Sequence, residues 1–220
     1  MGDQLRDYQA PYARPAAESK AWKRAENGEG PSLAEVVRQV KPTMLIGAST
    51  VYGSFTEEIV REMAAHTERP IIFALSNPPA RAEANPADLI AWTDGRALIA
   101  AGSPVAPITY KGVTYVIAQV NNAMLYPGLG LGAIVSRASR ISDGMFAAAA
   151  GAVSSLVAVR QPGASLLPHI DDLRSVAGTV AAAVAETAEA EGLASVHFSD
   201  IVQQVQDAMW QPEYRRIQAS

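Results

Sequence analysis

Small hydroxyl and amide side chains stand directly after four short apolar runs in the first part of the chain. The runs cover residues 43–47, 71–75, 97–101 and 116–120, and they stop at Ala48-Ser49-Thr50, Ser76-Asn77-Pro78, Gly102-Ser103-Pro104 and Asn121-Asn122. An apolar run of this length that ends in turn residues predicts a buried strand. The loops at the carboxyl ends of parallel strands form the ligand crevice of open α/β sheets. The pattern therefore predicts a binding site of amides and hydroxyls at one edge of a sheet.

Groups that transfer protons or bind metals are scattered along the chain and form no recognisable motif. His66, His169 and His197 have no metal-ligand spacing, and the sequence contains no cysteine. The adjacent Asp171 and Asp172 are better explained as the start of a helix, where acidic side chains interact favourably with the helix dipole. No lysine lies in a stretch that would bury it and make it a base. The residues alone therefore predict ligand positioning by hydrogen bonds.

The loop after the first run consists mostly of small residues, Gly47-Ala48-Ser49-Thr50-Val51-Tyr52-Gly53, and it leads into a helix. A strand, a small-residue loop and a capped helix together can cradle a phosphate. Because the spacing is not the Gly-x-Gly-x-x-Gly fingerprint, a tight strand-to-helix turn is the favoured interpretation, and ligand contact by the loop stays open. Ser54 and Glu57 fit a capping box for the helix that follows.

Composition argues against several classes of function. Hydrophobic residues make up 49% of the 220 residues, and the net charge is −4 without a basic cluster, which argues against a nucleic-acid partner. The charged fraction of 18% lies below the ~25% of an average domain, which indicates much buried surface or a surface covered by a partner. No apolar run reaches the ~18 residues of a membrane span, and Met1-Gly2-Asp3 does not begin a signal peptide. We expect a cytoplasmic protein that contacts no membrane.

Capped helices alternate with the apolar runs. Ser32 caps a helix that ends at Lys41-Pro42, and Asn85-Pro86 begins another that ends near Trp92. Strands that alternate with helices predict an α/β fold with a Rossmann-like, doubly wound and mainly parallel sheet.

The pattern becomes helical after residue 127. Gly128, Gly130 and Gly132 alternate with leucines and predict close packing at the start of a helix. Further helices are predicted from Ser142 to about residue 157, from Asp171 or Asp172 to Gly192, and from Asp200 onwards. We divide the chain into an irregular N-terminal connection (1–31), a sheet domain (32–140) and a C-terminal helical region (141–220).

Seven motifs of the chain occur in the same order in the malic enzymes. They are Lys41-Pro42-Thr43-Met44-Leu45-Ile46-Gly47, Phe55-Thr56-Glu57-Glu58, Arg69-Pro70-Ile71-Ile72-Phe73-Ala74-Leu75-Ser76-Asn77-Pro78, Ala101-Gly102-Ser103-Pro104, Gln119-Val120-Asn121-Asn122, Tyr126-Pro127-Gly128 and Ile141-Ser142-Asp143. The resemblance covers about residues 3–215. The chain therefore resembles the C-terminal part of a malic enzyme. That family oxidatively decarboxylates malate to pyruvate and carbon dioxide with NAD or NADP and a divalent metal, Mg or Mn.

The resemblance implies roles for residues at the predicted edge of the sheet. Asn77 and Asn121 would bind a carboxylate of the substrate, with Asn122 as the alternative to Asn121. The residues implied for the cofactor site are Ala48, Ser49, Thr50, Ser76 and Gly102, and 32–140 would be the second half of the NAD(P)-binding domain. In the family, the catalytic tyrosine and lysine, the acidic metal ligands and the glycine-rich dinucleotide turn lie upstream of the segment that resembles this chain. We therefore expect no catalytic residue and no metal ligand here, and no activity from the chain alone.

The chain departs from the family in two loops, which keeps both asparagines in place and concerns only the conformation of the loops. Many relatives have Gly-Gln-Gly-Asn-Asn where this chain has Ala118-Gln119-Val120-Asn121-Asn122, and Thr-Ser where it has Pro79-Ala80. Asn77 could also serve only as a turn residue before Pro78. The chain could be a non-catalytic binding or assembly module, or an independent enzyme for another small carboxylate. Its partner would be a complementary N-terminal half or further copies of itself, and the sequence does not distinguish NAD from NADP.

Overall fold

The computed structural model describes residues 7–8, 10–25 and 30–211, and within them a parallel sheet forms the centre of the first part of the chain. Its strands are β1 (Met44–Gly47), β2 (Ile71–Ala74), β3 (Leu98–Ala101) and β6 (Ala118–Gln119), in the order β1-β2-β3-β6. All three pairings are parallel, so the α/β, mainly parallel sheet predicted from the sequence is confirmed. Gly47, Ala74, Ala101 and Gln119 lie opposite one another in register, which aligns the loops that follow them.

Helices connect the strands and continue to the end of the described chain. Their bounds are α1 Ala16–Ser19, α2 Leu33–Val40, α3 Glu57–His66, α4 Pro86–Trp92, α5 Tyr126–Val135, α6 Asp143–Ser155, α7 Leu173–Ala190 and α8 Ile201–Ala208. The predicted caps Ser32, Asn85, Ser142 and Asp200 each accept a hydrogen bond from a backbone N–H of the helix that follows. Residues 1–6, 9 and 26–29 of the predicted irregular connection and 212–220 of the predicted helical region lie outside the described residues.

Two local predictions were wrong. The capping box at Ser54 does not form, because Thr56 caps α3 by accepting from Ile59 N–H, and the buried Ser54 hydroxyl has no partner within the described part of the chain. The predicted strand at 116–120 shrinks to Ala118–Gln119, because Val116 N–H donates to the carbonyl of Gly163 instead of to a strand. Just before it, an unpredicted antiparallel hairpin joins β4 (Ile108–Tyr110) and β5 (Val113–Tyr115).

Two hydrophobic clusters divide the packing. The first lies between the sheet and its helices, with Met63, Ile72 and Leu89 fully buried. The second joins α5, α6 and α7, with Leu129, Met145, Val176, Val180 and Val184 fully buried. Helix α5 thus packs with the helical region, although the sequence grouped residues 32–140 together, and the division into three domains stays a prediction. Across residues 7–8, 10–25 and 30–211, no helix has the length and apolar character needed to cross a membrane.

Candidate functional site

The loops that follow the four parallel strands lie side by side at one edge of the sheet. Backbone hydrogen bonds continue across this edge: Leu75 N–H donates to Gly47 O (2.9 Å), Gly102 N–H to Ala74 O (3.2 Å) and Val120 N–H to Ala101 O (2.9 Å). The register therefore places all of the predicted site residues at this carboxyl edge.

Glycine is required at two of these strand ends. A Cβ on Gly102 would lie 2.0 Å from the carbonyl oxygen of Leu75, so a side chain there would force β2 and β3 apart. A Cβ on Gly47 would lie 2.6 Å from Cγ of Glu83. The absence of a side chain at Gly47 therefore makes room for a glutamate beneath the first loop.

Asn77 is exposed at the end of β2, and its hydrogen bonds fix which side of its amide is available. Ser103 Oγ donates to Asn77 Oδ1 at 2.7 Å, whereas Asn77 Nδ2 donates to the carbonyl of Gly102 at a long 3.4 Å. The amide orientation follows from this network, because the carbonyl oxygen of Gly102 can only accept a hydrogen bond and must face Nδ2, which leaves Oδ1 for the Ser103 hydroxyl. With its oxygen satisfied, Asn77 has N–H groups to offer to a ligand.

The amide oxygen of Asn121 also accepts a hydrogen bond from the chain itself. Its Oδ1 accepts from Ala123 N–H at 3.0 Å and caps the 3-10 turn Asn122–Met124. Its Nδ2 group has no partner within the described part of the chain, and it is exposed. Asn122 is also exposed, but it lies inside the turn, and its side chain makes no hydrogen bond to another residue that the structure describes. Both predicted asparagines therefore present amide donors at the same edge of the sheet.

Glu83 joins the loops after β1 and β2. It is fully buried, and its carboxylate accepts four hydrogen bonds: from Ser49 N (2.7 Å), Ser49 Oγ (2.8 Å), Ser76 N (3.2 Å) and Ser76 Oγ (2.5 Å). In turn Ser76 Oγ accepts from Thr50 N–H at 2.8 Å. Thr50 has a left-handed backbone with φ of 59°, a conformation that costs a non-glycine residue about 1 kcal/mol or more. The network holds this strained residue in place.

The network also determines which hydrogen bonds Ser49 and Ser76 can make to a ligand. Burial opposes ionisation of Glu83, but the hydrogen bonds from Ser76 and Ser49 outweigh burial and lower the pKa of Glu83 to about 2. Each serine hydroxyl donates its hydrogen to Glu83, so Ser49 Oγ and Ser76 Oγ remain only as acceptors for a ligand. The cofactor roles of Ala48, Ser49, Thr50, Ser76 and Gly102 stay predictions.

Sequence reasoning missed Glu83. It lies between two alanines and shortly before the cap of α4, and no motif distinguishes it from a surface glutamate. The only signal was a charged residue beside Ala82 and Ala84 in a turn-rich stretch, and that signal is weak.

Carboxylates that could hold a metal are sparse in this structure. Within the described ranges, no group of three or more His, Asp or Glu side chains is placed to bind an ion. Glu83 already accepts four hydrogen bonds, so its oxygens are committed. The residues described here therefore do not fit a divalent metal site.

A cavity of about 340 Å³ lies at the opposite edge, at the amino ends of β2 and β3, and Arg69, Arg96 and Arg160 line it. Arg96 donates to the carbonyls of Ala64, Thr67 and Glu68 at the end of α3. Arg69 donates to the carbonyl of Val159. Two of the three arginines thus hold backbone carbonyls together, which explains them without a ligand.

Known proteins match this chain over most of its length. The family "Malic enzyme, NAD binding domain" matches residues 1–189. The "NAD-dependent malic enzyme 3" of Bacillus subtilis (strain 168) is 57% identical over 217 residues, which are 99% of this chain and 38% of the relative. A putative malate oxidoreductase (NAD) of Mycobacterium tuberculosis (strain CDC 1551 / Oshkosh) is 45% identical over 212 residues, 96% of this chain and 38% of the relative.

A solved structure gives the same result. The crystal structure of the Entamoeba histolytica malic enzyme superposes with a TM-score of 0.63 at 29% identity, over 83% of this chain and 33% of that chain. This chain spans 38% of the length of the two curated relatives described above. Since the family match covers 189 residues of the 220, the chain belongs to the malic enzyme family and matches part of that family's NAD-binding domain.

Proposed function

We propose that this chain is the cofactor- and substrate-positioning part of an NAD-dependent malic enzyme, which converts malate to pyruvate and carbon dioxide. One observation carries the proposal. Asn77 and Asn121 stand at the same carboxyl edge, and each has its amide oxygen satisfied by the chain itself. Both relatives are named for NAD and for malate chemistry, which supports this choice.

Two fixed amide donors suit a carboxylate. Each Nδ2 group donates hydrogen bonds to carboxylate oxygens without adding a charge that would itself need a partner. Ser103 and Ala123 already hold the two amides in orientation. The protein would therefore lose little side-chain freedom when malate binds. Asn122 remains the alternative to Asn121 as the second donor.

The residues present fit a nicotinamide cofactor at the neighbouring loops. Ala48, Ser49 and Thr50 offer small side chains, Ser76 offers a hydroxyl acceptor, and Gly102 leaves backbone close to the surface. NAD, when bound, accepts hydride from the substrate. We propose NAD as the cofactor, with NADP as the alternative.

A chimera tests the proposed function. The segment of the Bacillus subtilis relative that matches this chain is replaced by this chain, and the purified chimera is assayed with malate, magnesium or manganese, and NAD or NADP. We expect malate-dependent reduction of NAD. A folded chimera that neither reduces the cofactor nor binds it would contradict the proposal.

We further propose that this chain alone does not catalyse the reaction. The chemistry needs a base for the hydroxyl proton, a metal for the enolate and an acid to protonate it. Asn77 and Asn121 do not exchange protons near neutral pH, and Glu83 stays ionised with both oxygens engaged. The isolated chain should therefore give no reduced cofactor at saturating malate. Turnover within a few-fold of the chimera would overturn this expectation.

Strand β1, an outermost strand of the described sheet, has one side open to a partner chain, which we propose to be cytoplasmic like this protein. Strand β1 pairs only with β2 among the described strands, and Met44 and Ile46 on it are 45% and 55% exposed. An apolar edge strand is a template for pairing with another chain. We propose that a complementary upstream polypeptide covers it, with a second copy of this chain as the alternative. Light scattering of the chain alone and with that polypeptide distinguishes a complex with the polypeptide from a homo-oligomer. A stable monomer that does not bind the polypeptide would instead favour a non-catalytic module.

A further inference from the structure

We propose that Glu83 is a positioning residue that locks the loops after β1 and β2 into the arrangement that receives the cofactor. The proposal rests on the proposed function, because the loops concerned are those assigned to NAD. It adds a residue that no sequence motif identifies and that would never touch the cofactor itself.

Backbone hydrogen bonds hold the segment that contains Glu83, independently of its side chain. Gly53 N–H donates to the carbonyl of Ala82 at 3.2 Å, and Phe55 N–H donates to the carbonyl of Glu83 at 3.0 Å. These bonds tie the segment to the connection that leads into α3. The side chain then extends past Gly47, where a Cβ would collide with it, and reaches Ser49 and Ser76.

The chemistry of the contact requires a carboxylate. Two backbone N–H groups and two hydroxyl hydrogens converge on its two oxygens. A glutamine would place an NH₂ group against some of these donors and leave hydrogens facing hydrogens. The serine hydroxyls and the left-handed Thr50 would then lose the single arrangement that they now share.

Comparison with Glu35 separates positioning from stability. Glu35 is also nearly buried and hydrogen-bonded, but it pairs with the guanidinium of Arg38 and with Gln39 on its own helix. Glu83 has no cationic partner among the described residues, although a buried carboxylate without a counter-ion is costly. All four of its donors belong to Ser49 and Ser76. The ionised group is therefore placed where only these two loops benefit from it.

The test uses the full chain labelled with ¹⁵N, as wild type, Glu83→Gln and the matched control Glu35→Gln. Amide hydrogen exchange is measured first, and each protein is then titrated with NAD while the resonances of Ser49, Thr50 and Ser76 are followed. In Glu83→Gln we expect exchange at these three amides to accelerate by about 100-fold and NAD to bind about 10-fold more weakly. Glu35→Gln should leave NAD affinity unchanged, and any loss of global stability should accelerate exchange at these three amides no more than at the other protected amides.

Two results would overturn the proposal: unchanged exchange at the three amides in Glu83→Gln, or lost protection with NAD affinity intact. If wild type gives no NAD-dependent shifts, cofactor binding by this chain is wrong and the cofactor part of the proposal falls with it. The exchange data still decide in that case whether Glu83 positions the loops.

Should Glu83→Gln fail to fold, Ser76→Ala gives the same decision, because it should expose Thr50 N–H while Ser49 N–H stays protected by Glu83. Equal protection of Thr50 in Ser76→Ala and wild type would contradict the network.

Discussion

The carboxyl edge of the sheet and the contact between α5 and α7 both depend on glycine, but for opposite purposes. At the sheet, Gly47 and Gly102 leave space that a carboxylate and a backbone carbonyl fill. In the helical region, a Cβ on Gly128 or Gly132 would lie 2.5 Å or 2.7 Å from the Cβ of Val180 or Val184, respectively. The first pair of glycines serves a polar network, and the second serves apolar packing. Substitutions in the two regions should therefore separate an effect on ligand binding from an effect on stability.

The largest effect is expected at the edge of the sheet. In the chimera, Asn77→Asp replaces an amide donor by a carboxylate that repels malate, so we expect kcat/KM for malate to fall by about 100-fold or more. Asn85→Asp is the matched control, because aspartate caps α4 as well as asparagine does. Equal activity of the two variants would remove Asn77 from the substrate site.

Acid should weaken the sheet edge through Glu83. The pKa of Glu83 is about 2 in the folded chain and 4.5 as a reference, so its stabilisation is complete above pH 4.5. As the pH falls from 4.5 towards 2, the unfolded chain takes up the proton first, and stability on the order of 3 kcal/mol is lost. Urea unfolding over this range should show a steeper loss for wild type than for Glu83→Gln. Parallel losses would mean that Glu83 titrates normally.

The helical region can be tested with two neighbouring glycines of α5. Gly132→Ala places a methyl group 2.6 Å from the carbonyl oxygen of Ala181, so we expect a loss of about 1–3 kcal/mol in unfolding free energy. Gly130 has open space around it, and Gly130→Ala should stabilise the helix by roughly 0.5–1 kcal/mol. Denaturant melts measure both changes. In the chimera, neither variant should change KM for malate by much. A large change would show that packing between α5 and α7 affects the substrate site.

The smallest effect is expected outside both regions. Lys111 Nζ lies 2.6 Å from Asp94 Oδ1, and the two side chains are 67% and 64% exposed. The hydrogen bond and the charge of Lys111 lower the pKa of Asp94, but water screens a pair this exposed. Asp94→Asn should therefore leave the denaturation midpoint within experimental error. A clear shift would show that the hairpin of β4 and β5 contributes more than its exposure suggests.

Patterns of local origin could be read from the sequence. Apolar runs predicted the parallel strands, and Ser32, Asn85 and Asp200 predicted helix starts that the structure contains. These features depend on nearby residues, and the sequence displays such relations directly. The placement of Asn77 and Asn121 after the carboxyl ends of parallel strands followed from the rule for parallel sheets.

Contacts between distant residues could not be read in the same way. Glu83 reaches Ser49 across 34 positions, and Val116 is drawn to Gly163 by a single backbone bond. Nothing local marks either pair. The orientation of the Asn77 amide likewise depends on Ser103, 26 positions away. The sequence could therefore locate the candidate site, but not the network that shapes it.

The most direct measurement is a crystal structure of the chimera with NAD and malate bound. We expect a carboxylate of malate to accept hydrogen bonds from Nδ2 of both Asn77 and Asn121, with the nicotinamide beside residues 48–50. Ser103 Oγ should still donate to Asn77 Oδ1, as it does without ligand. Malate bound away from this edge, or an Asn77 amide turned to place Oδ1 towards the substrate, would contradict the account.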